Sequence, residues 1–463
     1  MFDLTIDKTN ETDGRVRYTL GQPNWADRRI PDIRHPPATV QLVESRLIDV
    51  ILLGDGYDTA ADFEAQLRGW LSDFSKLKVY TTFAGAFRIR ALFEPSDEPA
   101  STTRDSYYRC RVEADGKGIS FEDSWWTADD TDGLRFRERL YAAVGSFTDA
   151  NLRRYPDDLD LGDGNTAIKN TTLRDVYRNL IVCMLVRSAV SSNVSGMTRA
   201  VPRPAPDASR QVRVAFGAGR LHEFSHAFGL LTDEYINGRD TPSTRVNHPT
   251  RSVFTLSNVT YSRTDGDVPW RHLGPWGRVP RQAAGTAPDP VVGWLWVGGS
   301  VHKNVWHAEY RCLMNGSHDN FQFTQVASDD PTANRDGSYT EENGANLRDQ
   351  ERFCLWCQEL VTIRILEKTD QFLETGDPTN LSAAGLVWWT RWEDDLRERY
   401  WTLFDVSQQI MDAEAVYAGL RPGSAGESLW RSDLYVAFGA AAVARANPVP
   451  ALGEDELAMV LDG

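Results

Sequence analysis

The sequence predicts an α+β fold whose sheet is at least partly parallel, and three observations carry that reading. Two apolar runs of strand length, IDVILLG (48–54) and LIVCMLV (180–186), are too continuous for half-exposed strands and read as buried ones. The first runs into DTAADFEAQLRGWLSDFSKL, which has helical period, and then into a second strand, AFRIRALFE (86–94). Strand, helix, strand in that order fits a layer with parallel pairing. The helical segments that return late in the chain complete the mixed pattern.

In order along the chain, residues 1–45 hold short alternating runs, FDLTID and RVRYTL, broken by GQPNW and RHPP, and read as a small N-terminal β-region. RLIDVILLGDGY (46–57) is a strand ending in Gly54-Asp55-Gly56. This is a tight turn rather than a phosphate loop, because the loop's lysine and glycine spacing are missing. RNLIVCMLVRS (178–188) is a third buried strand, and QVRVAFGAG (211–219) alternates just ahead of a helix, LHEFSHAFGLL. The stretch 236–310 is rich in Gly, Pro, Asn, Thr and Trp without clear period, the character of loops that wall binding sites. FCLWCQELVTIRILEK (353–368) is helical, and 385–420 reads as one or two amphipathic helices.

Composition narrows the function classes. Of 463 residues 41% are apolar and 25% charged, the balance of a globular chain, and 15 Trp with 19 Phe supply a core and an apolar cleft. A formal charge of −16 argues against nucleic acid or an anionic membrane as the main partner. No apolar stretch is long enough to span a bilayer. The N-terminus MFDLTIDKTNETDGR lacks the basic start and apolar run of a leader. As written the chain therefore reads as cytoplasmic, or as secreted if a leader precedes it. Five cysteines (110, 183, 312, 354, 357) are too few and uneven for a disulfide scaffold.

The chemistry concentrates in His222-Glu223-Phe224-Ser225-His226, an H-E-x-x-H pattern. Residues four apart on a helix share a face, so both imidazoles can reach one ion. Glu223 lies beside that ion as a general base, while Leu221, Phe224, Ala227 and Phe228 bury the helix. The competing reading is two helical histidines satisfied by ordinary hydrogen bonds. Gly229, three residues after His226, is placed to end the helix on a left-handed residue and turn the chain back. Thr232 is a poor zinc ligand, whereas Asp233 and Glu234, the next two residues, are good oxygen donors.

HEFSHAFGLLTDEY (222–235) resembles the zinc helix of the bacterial IgA-peptidase (igalysin) family, which reads close to HEFGHSFGGLADEY. LLGDGYDTAADF (52–63), SNVTYSRTDGDVPWRHLG (257–274), YRCLMNGSHDNF (310–321) and FCLWCQE (353–359) are similar to further family segments in their proper order. The resemblance covers roughly 46–367 and leaves 368–463 without a counterpart. It implies a metzincin-like zinc peptidase domain over 46–367, with a twisted mixed sheet and an active-site helix at about 219–230. A C-terminal helical extension (368–463) follows and is a candidate surface for a protein partner. By the resemblance, His222 and His226 bind Zn2+ with Asp233 as third ligand (alternative Glu234), Glu223 is the general base, and Met314 is the methionine of the turn beneath the metal. The chain departs from the plain metzincin spacing, which puts the third ligand at Thr232.

The implied activity is endopeptidase cleavage of a protein or peptide substrate. The alternatives are an inactive peptidase-fold scaffold and a hydrolase of a non-peptide or cell-wall amide. An extended substrate is expected to pair with QVRVAFGAG as an edge strand. GWLWVGG (293–299) is a candidate pocket wall, Tyr235 a candidate oxyanion donor and His318 a candidate extra ligand. Cys354-Leu-Trp-Cys357 has no second C-x-x-C partner, so a four-cysteine zinc site is not expected. A disulfide from Cys312 to Cys354 or Cys357 is the alternative for an extracellular protein, and reduced thiols the simpler reading.

Overall fold

A computed structural model describes residues 5–10, 12–21, 25, 27–147, 176–192, 194–206, 211–217, 221–234, 258–260, 270, 273, 296–299, 302–308, 312–314, 352–369, 371, 396–406 and 409. The chain forms two compact units, Met1–Gly229 with Thr362–Trp388 and Leu230–Val361 with Trp389–Gly463. The fold is mixed α and β, as the sequence predicts.

The first unit is organised on a seven-stranded sheet. Its strands are β1 (Thr5–Asn10), β2 (Val16–Gly21), β5 (Ile48–Asp55), β6 (Phe87–Phe93), β7 (Val176–Val186), β8 (Met197–Pro202) and β9 (Gln211–Gly217). They lie in the order β1-β2-β6-β5-β7-β9-β8. The strands β6, β5, β7 and β9 pair in parallel, whereas β1, β2 and β8 pair antiparallel. The N-terminal alternating runs thus extend the main sheet, while β3 (Arg29–Pro31) and β4 (Thr39–Gln41) pair as a separate ribbon. Every residue of β5 is buried, as its unbroken apolar run requires.

Helix α1 (Ala60–Lys76) starts on a cap in which Thr59 accepts from the Asp62 amide, and it buries Phe63, Leu67, Trp70, Leu71 and Phe74. A short α2 (Lys78–Thr82) follows it. The second long helix, α3 (Thr131–Phe147), buries Phe136, Leu140 and Val144 in a cluster with Ile51, Leu53, Trp125 and Phe216. The Gly54-Asp55-Gly56 turn is structural. A Cβ on Gly56 (φ +82°) would come within 2.2 Å of the Arg187 carbonyl oxygen. The buried Asp55 carboxylate accepts from Ser106 Oγ (2.7 Å) and from the Tyr108 (2.6 Å) and Cys110 (3.0 Å) amides.

One expectation is overturned here. QVRVAFG is β9, an interior strand paired with β7 on one side and β8 on the other. Among the described residues the edge beside it is β8, whose sequence MTRAVP buries only Met197 and Val201 and so carries little apolar signal.

In the second unit β10 (Val259–Thr260), β11 (Trp296–Gly299) and β12 (His302–His307) form a three-stranded sheet in the order β10-β12-β11. Helix α5 (Leu355–Lys368) begins in this unit and ends in the first, and α6 (Arg397–Phe404) is the described part of the expected C-terminal helices. Glu359 Oε1, fully buried, accepts from Arg397 Nε at 3.2 Å. Among the described residues, no helix is long and apolar enough to cross a membrane.

Candidate metal centres

The H-E-x-x-H segment lies on α4 (Leu221–Gly229) in the first unit. Its apolar positions fall on one side, where Phe224 and Phe228 stack on each other at 5.4 Å. Phe224 meets Trp70 and Tyr80 edge-on at 5.6 Å, and Phe228 packs at 5.5 Å from Phe87. Ser225 also turns inward, donating to the Leu221 carbonyl at 2.6 Å. This burial fixes the rotation of the helix and leaves His222, Glu223 and His226 on the remaining face.

The two imidazoles turn their Nε2 atoms toward each other at 3.0 Å, with the rings perpendicular. His222 is buried, and His226 and Glu223 are half-buried. Two nitrogens at about 2.0–2.1 Å from a tetrahedral zinc stand about 3.3 Å apart, so the pair matches two corners of such a site. Imidazole nitrogen suits zinc, as it also suits copper, iron and nickel.

Glu223 is held from the edge strand. Thr198 Oγ1 on β8 donates to the Glu223 carbonyl oxygen at 2.9 Å and lies 3.4 Å from its Oε2. Gly196 makes room for it, since a Cβ there would come within 2.4 Å of Glu223 Cγ. Neither residue was legible as part of the site, because β8 and the residue before it carry no motif.

The helix ends differently from the sequence expectation. Gly229 is the last helical residue, and the left-handed residue is Leu230, at φ 57°. Asp233 is half-buried and lies in the second unit, four residues beyond α4. Tyr235, His318 and Trp294 lie outside the described residues, and of GWLWVGG only the backbone of β11 is described.

Glu234 belongs to another cluster. Within the second unit Glu234, Cys312, Cys354 and Cys357, all fully buried, form a group that could hold a metal ion. Their donor atoms all lie within 4.8 Å of one another. The five cysteines are free thiols, so the disulfide alternative does not appear. Glu234 Oε1 lies 3.0 Å from Cys357 Sγ and 3.8 Å from Cys354 Sγ, and it accepts from Asn258 Nδ2 at 2.9 Å. Burial pushes the Glu234 carboxyl well above the usual carboxylate range. Burial also opposes ionisation of Cys312. Thiol donation from Cys354 and Cys357 and backbone amides outweigh it and hold the Cys312 thiol well below its ordinary value.

Met314 is fully buried, and its carbonyl accepts from the Glu234 amide at 3.0 Å. It is thereby tied to the residue that follows Asp233. A comparison with protein-family models finds no match, and neither does a comparison with curated proteins.

Proposed function

We propose that the protein is a zinc-dependent endopeptidase of metzincin-like fold, with His222, His226 and Asp233 as the metal ligands and Glu223 as the general base. The observation that carries this reading is the His222–His226 pair. Two Nε2 atoms converge at 3.0 Å on the polar face of a helix whose other face is locked into an aromatic core. Asp233 is supported by its position seven residues past His226 and by the other commitment of Glu234, whose Oε1 already accepts from Asn258.

A zinc ion held there would supply Lewis acidity toward the scissile carbonyl and would lower the pKa of water to about 7. The protein's own groups do the proton work. Glu223 takes the proton from the attacking water and returns it to the leaving amine. Thr198 restrains the Glu223 backbone, which helps place the carboxylate for the water. An extended peptide adds to the edge of β8, antiparallel to it or parallel, with main-chain hydrogen bonds giving affinity. Pro202, which has no N–H, ends that ladder.

The test compares wild type with Glu223→Ala on denatured casein and on a cell-wall amide substrate. Loss of the base lowers kcat/KM on casein by about 10²–10⁴-fold with metal content unchanged. Equal activity of the two proteins on every substrate removes the mechanism. Hydrolysis of the cell-wall amide alone moves the substrate class.

A further inference from the structure

The buried cluster in the second unit has no part in the chemistry above. We propose that Cys312, Cys354, Cys357 and Glu234 bind one thiophilic divalent cation, zinc by the chemistry of the donor set, as a closed structural site. Three sulfurs and one carboxylate oxygen make four donors, the number a structural zinc takes. Full burial of all four leaves no open position for a substrate. A tetrahedral zinc with sulfur at about 2.3 Å and oxygen at about 2.0–2.2 Å sets S···O near 3.6 Å. The observed 3.0 and 3.8 Å bracket that value.

Backbone amides are aimed at two of the three sulfurs. The Met314 and Cys354 amides both donate to Cys312 Sγ, at 3.5 and 3.3 Å, and the Cys357 amide donates to Cys354 Sγ at 3.3 Å. Amide donors aimed at sulfur offset the charge that three thiolates and a carboxylate bring to one cation. Cys354 and Cys357 also flank the start of α5, where the helix dipole favours negative charge.

The carboxylate gives independent evidence. Glu234 Oε2 is buried and has no hydrogen-bond partner among the described residues. Such an atom is costly unless something else meets it. Its other oxygen is aimed by Asn258, whose amide bridges Thr232 and Glu234: Nδ2 donates to the Thr232 carbonyl and to Glu234 Oε1, and Oδ1 accepts from the Thr232 amide. A ligating carboxylate is itself held by hydrogen bonds in this way. The bound ion would staple three stretches distant in sequence, around residues 232–234, 312–314 and 354–357.

The experiment uses the full chain carrying His226→Ala, which removes a ligand of the first site and leaves every residue of the cluster in place. After reconstitution with zinc, this protein is expected to keep one equivalent by elemental analysis. After reconstitution with cobalt(II), it is expected to show an intense near-ultraviolet thiolate-to-cobalt charge-transfer band. Adding Cys357→Ser abolishes both. Should that double variant fail to fold, the cobalt spectrum of the cysteine-intact protein decides alone. A folded His226→Ala protein with neither the equivalent of metal nor the band overturns the proposal. Wild type with one equivalent, unchanged by His226→Ala and accompanied by the band, upholds the cluster and sinks the peptidase reading, so the two fail separately.

Discussion

Thr198 Oγ1 donates to the backbone carbonyl of Glu223 at 2.9 Å and stands 3.4 Å from the carboxylate of the same residue. A hydroxyl has one proton to give, and the shorter contact takes it, so Thr198 acts first on the backbone of Glu223, the proposed general base. Replacement by Val keeps the shape and removes the donor. Thr198→Val is expected to cost about 0.5–1.5 kcal/mol in stability, read by urea unfolding. It should also lower kcat several-fold with KM nearly unchanged, and Thr198→Ser should restore most of the loss. A Val variant with full kcat would deny Thr198 any positioning role.

Gly196, the residue just before that strand, sets a tighter constraint. A Cβ there would come within 2.3 Å of the Phe216 carbonyl oxygen and 2.4 Å of Glu223 Cγ. The backbone oxygen cannot swing aside as a side chain can, so β8 must shift away from β9. Gly196→Ala is expected to lose about 1–3 kcal/mol of stability and nearly all peptidase activity while the first site keeps its metal. Activity within twofold of wild type would show that the Glu223 position is less demanding than the packing implies.

Much of the first unit is legible in the sequence because its elements carry strong apolar periodicity. The buried runs of β5 and β7 and the helical spacing of Phe63, Leu67, Trp70 and Phe74 read directly. Other elements carry weaker signals. β8 buries two of its six residues, so the strand whose Thr198 holds Glu223 looks like loop. α3 interleaves Arg135, Arg137, Glu138 and Arg139 with its core residues, which masks its period. The cysteine cluster was hidden for a different reason. Three nearby thiols fall one short of a four-cysteine site, and the fourth donor, Glu234, lies more than a hundred residues from Cys354, beside the motif of the histidine site.

The end of α4 tests how far a glycine rule reaches. The left-handed residue is Leu230, one place beyond the expected Gly229, and the chain bears the strain of a side chain at φ 57°. Leu230→Gly relieves that strain but adds freedom to the unfolded chain, so its stability is expected to stay within about 0.5 kcal/mol of wild type. Leu230→Val puts a β-branched residue into the same conformation and should lose about 1–2 kcal/mol. Chemical denaturation of the pair checks this, and equal stabilities for Val and Leu would remove the left-handed turn.

Adjacent acids with separate duties make the sharpest prediction. Asp233 is half-buried and Glu234 fully buried, and the Glu234 amide is pinned to the Met314 carbonyl at 3.0 Å. In the two proposed sites the half-buried acid serves the histidines and the fully buried one the cysteines. Asp233→Ala is therefore expected to lose one equivalent of zinc and the peptidase activity while leaving the thiolate-to-cobalt band intact. Glu234→Ala should weaken or shift that band, because its ligand oxygen is gone, and should reduce activity only through looser placement of Asp233. The double variant should bind neither ion firmly. A Glu234→Ala protein that keeps the band unaltered but loses the histidine-site zinc would exchange the two assignments.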